Sequence, residues 1–211
     1  MNPSTKTNYI INLDALSALK EFPENLFNTC ITSPPYYGLR DYHHDKQIGR
    51  EDSPEAYLNN LVEVFRQVRR VLKEDGSLWL VIGDLYASTK SKEERPAYKP
   101  KDLMGLPWQL ALKLREDGWY LRSDIPKKRN ARDIWTINTS AFRGKHYACF
   151  PPKLVKTCIL AGCPEHGLIL DPFMGSGTVG MVAKKMNRQY IGIEINRDYC
   201  QLAKKRIEEG R

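Results

Sequence analysis

Residues 168–178 read Leu-Ile-Leu-Asp-Pro-Phe-Met-Gly-Ser-Gly-Thr. The three apolar residues predict a buried strand, and residues 178–186 predict a helix. Between the strand and the helix, Gly175 and Gly177 allow the backbone to turn sharply and to pass close to a ligand. The stretch therefore predicts an α/β fold with a ligand-binding loop at the end of a strand. We call residues 171–178 the glycine loop.

With Gly180, the glycine loop also fits the G-x-G-x-x-G spacing of dinucleotide-binding proteins, and Glu194 follows the next predicted strand. Two observations argue against a dinucleotide. Only 31 residues follow Gly180 (211 minus 180), which is too few to complete the sheet of a dehydrogenase. The acidic Asp171 would repel a pyrophosphate, whereas it suits a cationic amino-acid cofactor.

A second motif, Thr-Ser-Pro-Pro-Tyr at residues 32–36, comes directly after a predicted strand over residues 27–31. The two prolines stop the strand pairing because neither has an N–H group to donate. The result is a stiff turn, residues 33–36, which we call the proline turn. Its Ser33 hydroxyl, its carbonyl groups and the Tyr36 ring suit a planar ring that carries an amino group. On this motif alone, a simple turn with a surface tyrosine is an equal alternative.

Together, the two motifs resemble those of the DNA amino-methyltransferases, which use S-adenosylmethionine (AdoMet) to methylate N4 of cytosine or N6 of adenine. Residues 78–84 and 191–196 support the resemblance. Because the proline turn precedes the glycine loop, the motif order resembles that of the circularly permuted beta group. The resemblance implies a Rossmann-like methyltransferase fold, an α/β architecture with a mostly parallel sheet and helices on both faces.

The resemblance also implies a domain organisation and a set of site residues. A single catalytic domain, residues 1–211, would comprise a catalytic half (8–125), a basic DNA-facing segment (126–147) and an AdoMet-binding half (148–211). The implied catalytic residues are Ser33, Pro34, Pro35 and Tyr36. The implied cofactor-binding residues are Asp14, Phe150, Pro151, Asp171, Pro172, Phe173, Gly175, Ser176, Gly177, Thr178 and Glu194. Within this set, Glu194 is expected to bind the ribose hydroxyls, and Asp14 to lie beside the adenine or to cap the helix that follows it.

The ends of five predicted strands give an argument that does not depend on the resemblance. These strands end at residues 13, 31, 82, 170 and 193, and each is followed by polar or small residues. They are Asp14, Ser33, Gly83 with Asp84, Asp171 and Glu194. Because the carboxyl ends of parallel strands share one edge of a sheet, we expect these residues to line one crevice.

Charge and composition predict the partner and the compartment. The formal net charge is +8, and residues 122–145 account for +5 of it. The residues expected to contact DNA there are Lys127, Lys128, Arg129, Arg132, Arg143 and Lys145. Five cysteines without paired spacing and no signal peptide predict the reducing cytoplasm, and no apolar run is long enough to span a membrane. No metal is expected, because the His43–Asp45 cluster and the set of Cys158, Cys163 and His166 both lack a complete ligand geometry.

The target base and the partners are less closely determined. A serine before Pro-Pro-Tyr resembles the cytosine-N4 enzymes, so N4 of cytosine is favoured over N6 of adenine. An RNA or protein amino-methyltransferase is a further alternative. The expected partners are double-stranded DNA and a cognate restriction endonuclease, with a monomer and a homodimer both open. In relatives of this type, a target-recognition region follows the strand that corresponds to the residues before Ile125. Here the basic residues 127–129 follow Ile125 almost at once. The sequence therefore predicts a shortened target-recognition region.

Three smaller expectations concern the elements around the motifs. Residues 74–76, Glu-Asp-Gly, predict a turn before a strand over residues 78–82. Residues 119–121 and 134–137 are strand-like. Trp108 is expected to anchor the core, and Cys158 to be a buried small hydrophobic residue.

Overall fold

The structure is a computed structural model that describes residues 6–42, 44–87, 98–122 and 151–210. Its elements, in chain order, are β1 (Tyr9–Ile11), α1 (Ala15–Lys20), β2 (Phe27–Thr32), α2 (Pro54–Val71), β3 (Leu72–Leu80), α3 (Leu106–Glu116), α4 (Pro152–Gly162), β4 (Leu168–Asp171), α5 (Thr178–Lys185), β5 (Gln189–Ile193) and α6 (Arg197–Glu209). The predicted alternation of strands and helices is confirmed. Phe150 and the six basic residues expected to contact DNA lie outside the described residues, as does the strand-like stretch 134–137.

The contacts divide the chain into two compact units. The first contains Met1–Pro34, Gln67–Val81 and Arg122–Arg211, and the second contains Pro35–Arg66 and Ile82–Leu121. The sheet belongs to the first unit. The second unit holds α3 and most of α2, which are linked by hydrogen bonds from Arg66 to Asp117 at 2.8 Å and from Lys113 to Glu55 at 2.6 Å.

The five strands form one parallel sheet in the order β1-β5-β4-β2-β3. Every residue of β4 is buried, as is all of β2 except Asn28. This is the composition expected of strands covered on both faces. In the register, Cys30 of β2 pairs with Leu170 of β4. The proline turn after β2 and the glycine loop after β4 therefore begin at the carboxyl ends of neighbouring strands.

The core of the first unit lies between the sheet and the helices α4, α5 and α6. Six residues of α5, Thr178 to Ala183, are buried, so this helix has no solvent-exposed face over that length. In α6 the buried apolar residues Cys200, Ala203 and Ile207 repeat at helical spacing and pack into the same cluster. Each large aliphatic side chain buried in this way contributes about 1.5–3 kcal/mol to folding.

The beginning of β3 differs from the prediction. The expected turn at residues 74–76 lies inside the strand, which starts at Leu72 rather than Leu78 and ends at Leu80. The register steps from Phe27↔Leu72 to Thr29↔Ser77, so the extra residues of β3 form an irregularity against β2. A Cβ on Gly76 would lie 2.8 Å from the carbonyl oxygen of Lys73. The turn-forming residues are thus accommodated as a bulge, because pairing with β2 continues on both sides of it.

Two aromatic predictions are wrong. Trp108 is 64% exposed, because the buried residues of α3 are Leu106, Leu110 and Leu114 and position 108 lies off that stripe. Residues 119–121 form no strand, and Tyr120 is 90% exposed. By contrast, Cys158 is buried as predicted.

Candidate active site

The glycine loop has the left-handed backbone that its sequence suggests. Gly175 has a φ of 51° and Gly177 a φ of 81°. Both values lie in the left-handed backbone region, which residues other than glycine rarely adopt. Gly177 also lies against α6, where an added Cβ would stand 2.9 Å from the Cβ of Ala203. Gly177 is therefore required for helix packing as well as for the shape of the loop.

Glu194 follows β5 and fixes the middle of the glycine loop. Its Oε2 accepts a hydrogen bond from the backbone N–H of Gly175 at 2.7 Å, and its Oε1 accepts one from Asn196 at 2.9 Å. The side chain is buried, and burial raises the pKa of Glu194, while these backbone donors oppose the rise. Each carboxylate oxygen has a second lone pair, so the carboxylate retains capacity for ligand hydroxyls.

Asp171, the first residue of the glycine loop, is joined to the last residue of β2. The Thr32 hydroxyl donates to Asp171 Oδ1 at 2.7 Å, and the N–H of Phe173 donates to the same oxygen at 3.2 Å. Asp171 is only 2% exposed. Burial raises the pKa of Asp171 to about 7, against the lowering effect of the two hydrogen bonds. A buried carboxyl that titrates near neutral pH is typical of a functional site.

Arg206 of α6 binds the end of the glycine loop. Its Nη1 donates to the carbonyl oxygen of Ser176 at 3.1 Å, to Ser176 Oγ at 2.8 Å and to Thr178 Oγ1 at 2.9 Å. The residue is 9% exposed. Arg206 has no distinct signature in the sequence, because α6 as a whole is strongly charged. Its spacing does predict burial, because residue 206 lies three positions after Ala203 and next to Ile207, on the buried face of α6.

Asp14 follows β1 and begins α1. Its Oδ1 accepts a hydrogen bond from the backbone N–H of Ser17 at 2.9 Å, so the capping role is confirmed. The strand before it, β1, pairs with β5 up to Ile11↔Ile193. Asp14 and Glu194 are therefore both attached to the carboxyl ends of neighbouring strands, as the sequence predicted.

The proline turn crosses the boundary between the two units, which falls between Pro34 and Pro35. In the second unit, the Tyr57 hydroxyl of α2 donates to the carbonyl oxygen of Pro35 at 2.9 Å. A Cβ on Gly83 would lie 2.7 Å from Cε2 of Tyr36, so the absence of a side chain at position 83 makes room for the Tyr36 ring. The Tyr36 ring thus lies against Gly83 of the same unit.

Asp84 differs from the other strand-end acids. Its carboxylate accepts hydrogen bonds from the backbone N–H groups of Leu85, Gly105 and Leu106 at 2.8–3.2 Å. Asp84 therefore caps the start of α3 from a distance in sequence. We assign it a structural role rather than a place in the ligand crevice.

Known proteins are similar to this chain in sequence and in fold. A family model described as DNA methylase, for N6 and N4 methylases, matches residues 27–131 and 90–205. The chain belongs to the DNA methylase family. Among relatives of this methylase are the Type II methyltransferases M.SmaI of Serratia marcescens, 39% identical over 94% of this chain and 90% of the relative, and M.Cfr9I of Citrobacter freundii, 39% identical over 92% and 86%.

Two solved structures are similar to this methylase in fold. The PvuII DNA methyltransferase, described as cytosine-N4-specific, has a TM-score of 0.71 at 19% identity and is covered over 98% of its chain, with 100% of this chain matched. TTHA0409 of Thermus thermophilus, proposed to be a DNA modification methylase and crystallised with AdoMet, has a TM-score of 0.71 at 23% identity, covering 96% of this chain and 95% of its own. At these identities the similarity confirms the fold.

Two negative observations apply to the described part of the methylase. Among those residues, no group of three or more His, Cys, Asp or Glu side chains could hold a metal ion. His43 of the polar cluster lies outside them. None of the described helices is both long and apolar enough to cross a membrane.

Proposed function

We propose that this methylase transfers a methyl group from AdoMet to N4 of cytosine in double-stranded DNA. The observation that carries the proposal is the arrangement at the carboxyl edge of the sheet. The proline turn and the glycine loop leave adjacent strands, and the Thr32–Asp171 hydrogen bond of 2.7 Å joins their starting points. A reaction between two bound molecules requires two such binding elements at a fixed separation.

The residues of the glycine loop fit a cationic cofactor. Asp171 and Glu194 are both buried, and burial raises the pKa of each. Two ionised carboxylates in one desolvated site are unfavourable unless a positive group accompanies them, so a cationic ligand would be favoured there. AdoMet carries a sulfonium and an ammonium group, and it supplies an electrophilic methyl group when bound. Gly175 and Gly177 would admit it close to the backbone, and Glu194 would accept from the ribose hydroxyls. The rest of the proposed cofactor-binding set is Asp14, Phe150, Pro151, Pro172, Phe173, Ser176 and Thr178.

The proline turn supplies the groups for the base. The Ser33 hydroxyl and the Pro34 carbonyl oxygen accept hydrogen bonds from the two N–H groups of the exocyclic amine. This holds the nitrogen with its lone pair directed away from the turn and compensates for the delocalisation of that lone pair into the ring. The base leaves the DNA helix to reach the turn and stacks on Tyr36, whose ring Gly83 accommodates.

The choice of cytosine rests on Ser33, since a serine before Pro-Pro-Tyr resembles the cytosine-N4 enzymes. Incubation of unmethylated duplex DNA with labelled AdoMet, followed by nucleoside analysis, tests it directly. We expect N4-methylcytosine. Label only in N6-methyladenine would overturn the choice of base, and label only in RNA or protein controls would overturn the substrate class. Ser33→Ala serves as the matched control and should retain only a residual rate from the Pro34 carbonyl.

The recognition of DNA is expected to be largely electrostatic and short in sequence. The alignment with M.SmaI spans 262 positions, whereas this chain has 211 residues, so at least 51 positions (262 minus 211) lie opposite gaps in this chain. We propose that the recognition region accounts for part of this difference in length. Phosphate contacts by the basic stretch 127–145 position DNA without reading sequence. Raising the salt concentration from about 50 to 200 mM should therefore weaken binding by orders of magnitude.

The cellular setting is part of the same proposal. The Type II relatives support a role in restriction–modification, with a cognate endonuclease that cleaves the same site when it is unmethylated. The reaction would take place in the cytoplasm. Light scattering on the purified protein distinguishes the monomer from the homodimer, and cleavage protection of methylated DNA identifies the endonuclease.

A further inference from the structure

We infer that Thr32 is a positioning residue, whose hydroxyl holds the glycine loop in register with the proline turn through the carboxylate of Asp171. The inference rests on the proposed function, because it assumes that these two segments bind the cofactor and the base. Thr32 is the last residue of β2 and directly precedes Ser33.

The geometry makes Thr32 the junction of three strands. Its carbonyl oxygen accepts a hydrogen bond from the N–H of Val81, just after β3, at 2.9 Å. Its hydroxyl donates in the other direction, to Asp171 Oδ1 at the end of β4, at 2.7 Å. The side chain is fully buried, so water does not compete for this hydrogen bond. A shift of Asp171 relative to β2 therefore requires breaking a buried bond to a carboxylate, which is among the stronger kinds.

The same contact bears on the charge of Asp171. The ionisable groups that interact with Asp171 are the Cys30 thiol on β2 and the Glu194 carboxyl after β5. Glu194 and burial both raise the pKa of Asp171, whereas the Thr32 hydroxyl lowers it because it stabilises the ionised form. Loss of this hydroxyl must therefore raise the pKa further. If a cationic cofactor binds only when Asp171 is ionised, a variant without the hydroxyl reaches its maximal affinity for that cofactor at a higher pH than the wild type.

Thr29 provides a matched control for this effect. It is also fully buried on β2, and its hydroxyl also makes a buried hydrogen bond, to the carbonyl oxygen of Ser77 at 2.9 Å. That bond joins β2 to β3 and does not involve Asp171. Thr29→Val and Thr32→Val therefore remove the same group from the same strand, but only the second removes a donor to the carboxylate.

The test is the AdoMet dissociation constant, measured by calorimetry between about pH 6 and 9 for the wild type, Thr32→Val, Thr32→Ser and Thr29→Val. For Thr32→Val we expect the midpoint of the affinity curve to move up by about one pH unit, which is roughly a fivefold loss near pH 7 and almost none near pH 9. Thr32→Ser should restore the wild-type curve. Thr29→Val should keep the wild-type midpoint, although it also loses a buried hydrogen bond.

Thr32→Ala is the second variant without the hydroxyl, and it covers the case in which valine disturbs folding. The same midpoint for the wild type and for Thr32→Ala or Thr32→Val overturns the inference, as does an equal displacement in Thr29→Val. If the wild type binds AdoMet and the variants behave alike, only the role of Thr32 fails. If the wild type binds no AdoMet at any pH, the proposed function fails with it.

Discussion

Replacement of Arg206 by methionine should weaken both the fold and the cofactor site. The change removes the guanidinium from the glycine loop while keeping an apolar stem of similar length. Three acceptors lie within 3.1 Å of Nη1, and because one amino group has two N–H bonds, these contacts amount to two strong hydrogen bonds. At about 1.5–3 kcal/mol for each bond to a charged donor, the gross loss is about 3–6 kcal/mol.

Part of that loss is recovered, because methionine has no charge to desolvate at this 9% exposed position. We therefore expect the free energy of unfolding to fall by about 2–4 kcal/mol. Urea denaturation followed by circular dichroism measures it, and an unchanged m-value would show that the folded state keeps its compactness. AdoMet affinity, measured on the folded variant, should fall as well, since Ser176 and Thr178 lose their common donor.

Lys205→Met is the control for this prediction, because Lys205 is the exposed neighbour of Arg206 on α6. Its free energy of unfolding should stay within about 0.5 kcal/mol of the wild type. Arg206→Lys should be intermediate, since an ammonium group has no planar fork with which to reach the same acceptors. An Arg206→Met variant as stable as Lys205→Met, with normal cofactor affinity, would refute the reasoning.

Three further predictions concern Asp171, Gly192 and Tyr36. Burial raises the pKa of Asp171 in the folded state, so between about pH 4 and 7 the folded protein keeps a proton on Asp171 that the unfolded chain releases. The free energy of unfolding of the wild type therefore falls as the pH rises through that window. In Asp171→Asn this decline, on the order of 4 kcal/mol, should disappear from urea titrations, and equal slopes in the two proteins would contradict it. A Cβ on Gly192 would lie 1.8 Å from the sulfur of Met174, so Gly192→Ala should cost about 1–3 kcal/mol by thermal unfolding. The double change with Met174→Ala should cost less than the sum of the two single changes, and strict additivity would contradict the clash. Tyr36→Ala should bind AdoMet normally but transfer methyl groups about 10–100-fold more slowly, because the base loses its stacking partner. Tyr36→Phe keeps the ring and should transfer methyl groups at the wild-type rate. Equal rates in all three proteins would rule out stacking.

The two motifs could be located from sequence because each contains residues with few structural options. Two consecutive prolines interrupt the hydrogen bonding of an interior strand, and paired glycines after an apolar run permit a left-handed loop before a helix. The boundaries of β4 and α5 lie within one residue of the prediction that these signals gave. The family match confirms the class of protein that the motifs suggested.

The parts that could not be predicted from sequence depend on tertiary contacts. The Glu-Asp-Gly stretch in β3 has a strong local turn signal, but pairing with Phe27 and Thr29 keeps it within the strand. Trp108 is a large apolar residue whose helical position, rather than its hydrophobicity, decides its exposure. Arg206 and Thr32 act through partners roughly 30 and 140 residues away in the chain, and no local pattern reveals such distant pairs.

The strand order has a consequence for how the protein is made. Among the described strands, β1 is the first to be synthesised and pairs with β5 alone, more than 180 residues later, and β5 lies between β1 and β4. A ribosome-bound chain that has exposed residues 1–160 thus contains the proline turn but not yet β4 or β5, which lie between β2 and β1 in the sheet. Such long-range pairing makes folding slow relative to helical proteins. Catalytic competence should therefore arise abruptly, when β5, the last strand among the described residues, inserts between β1 and β4.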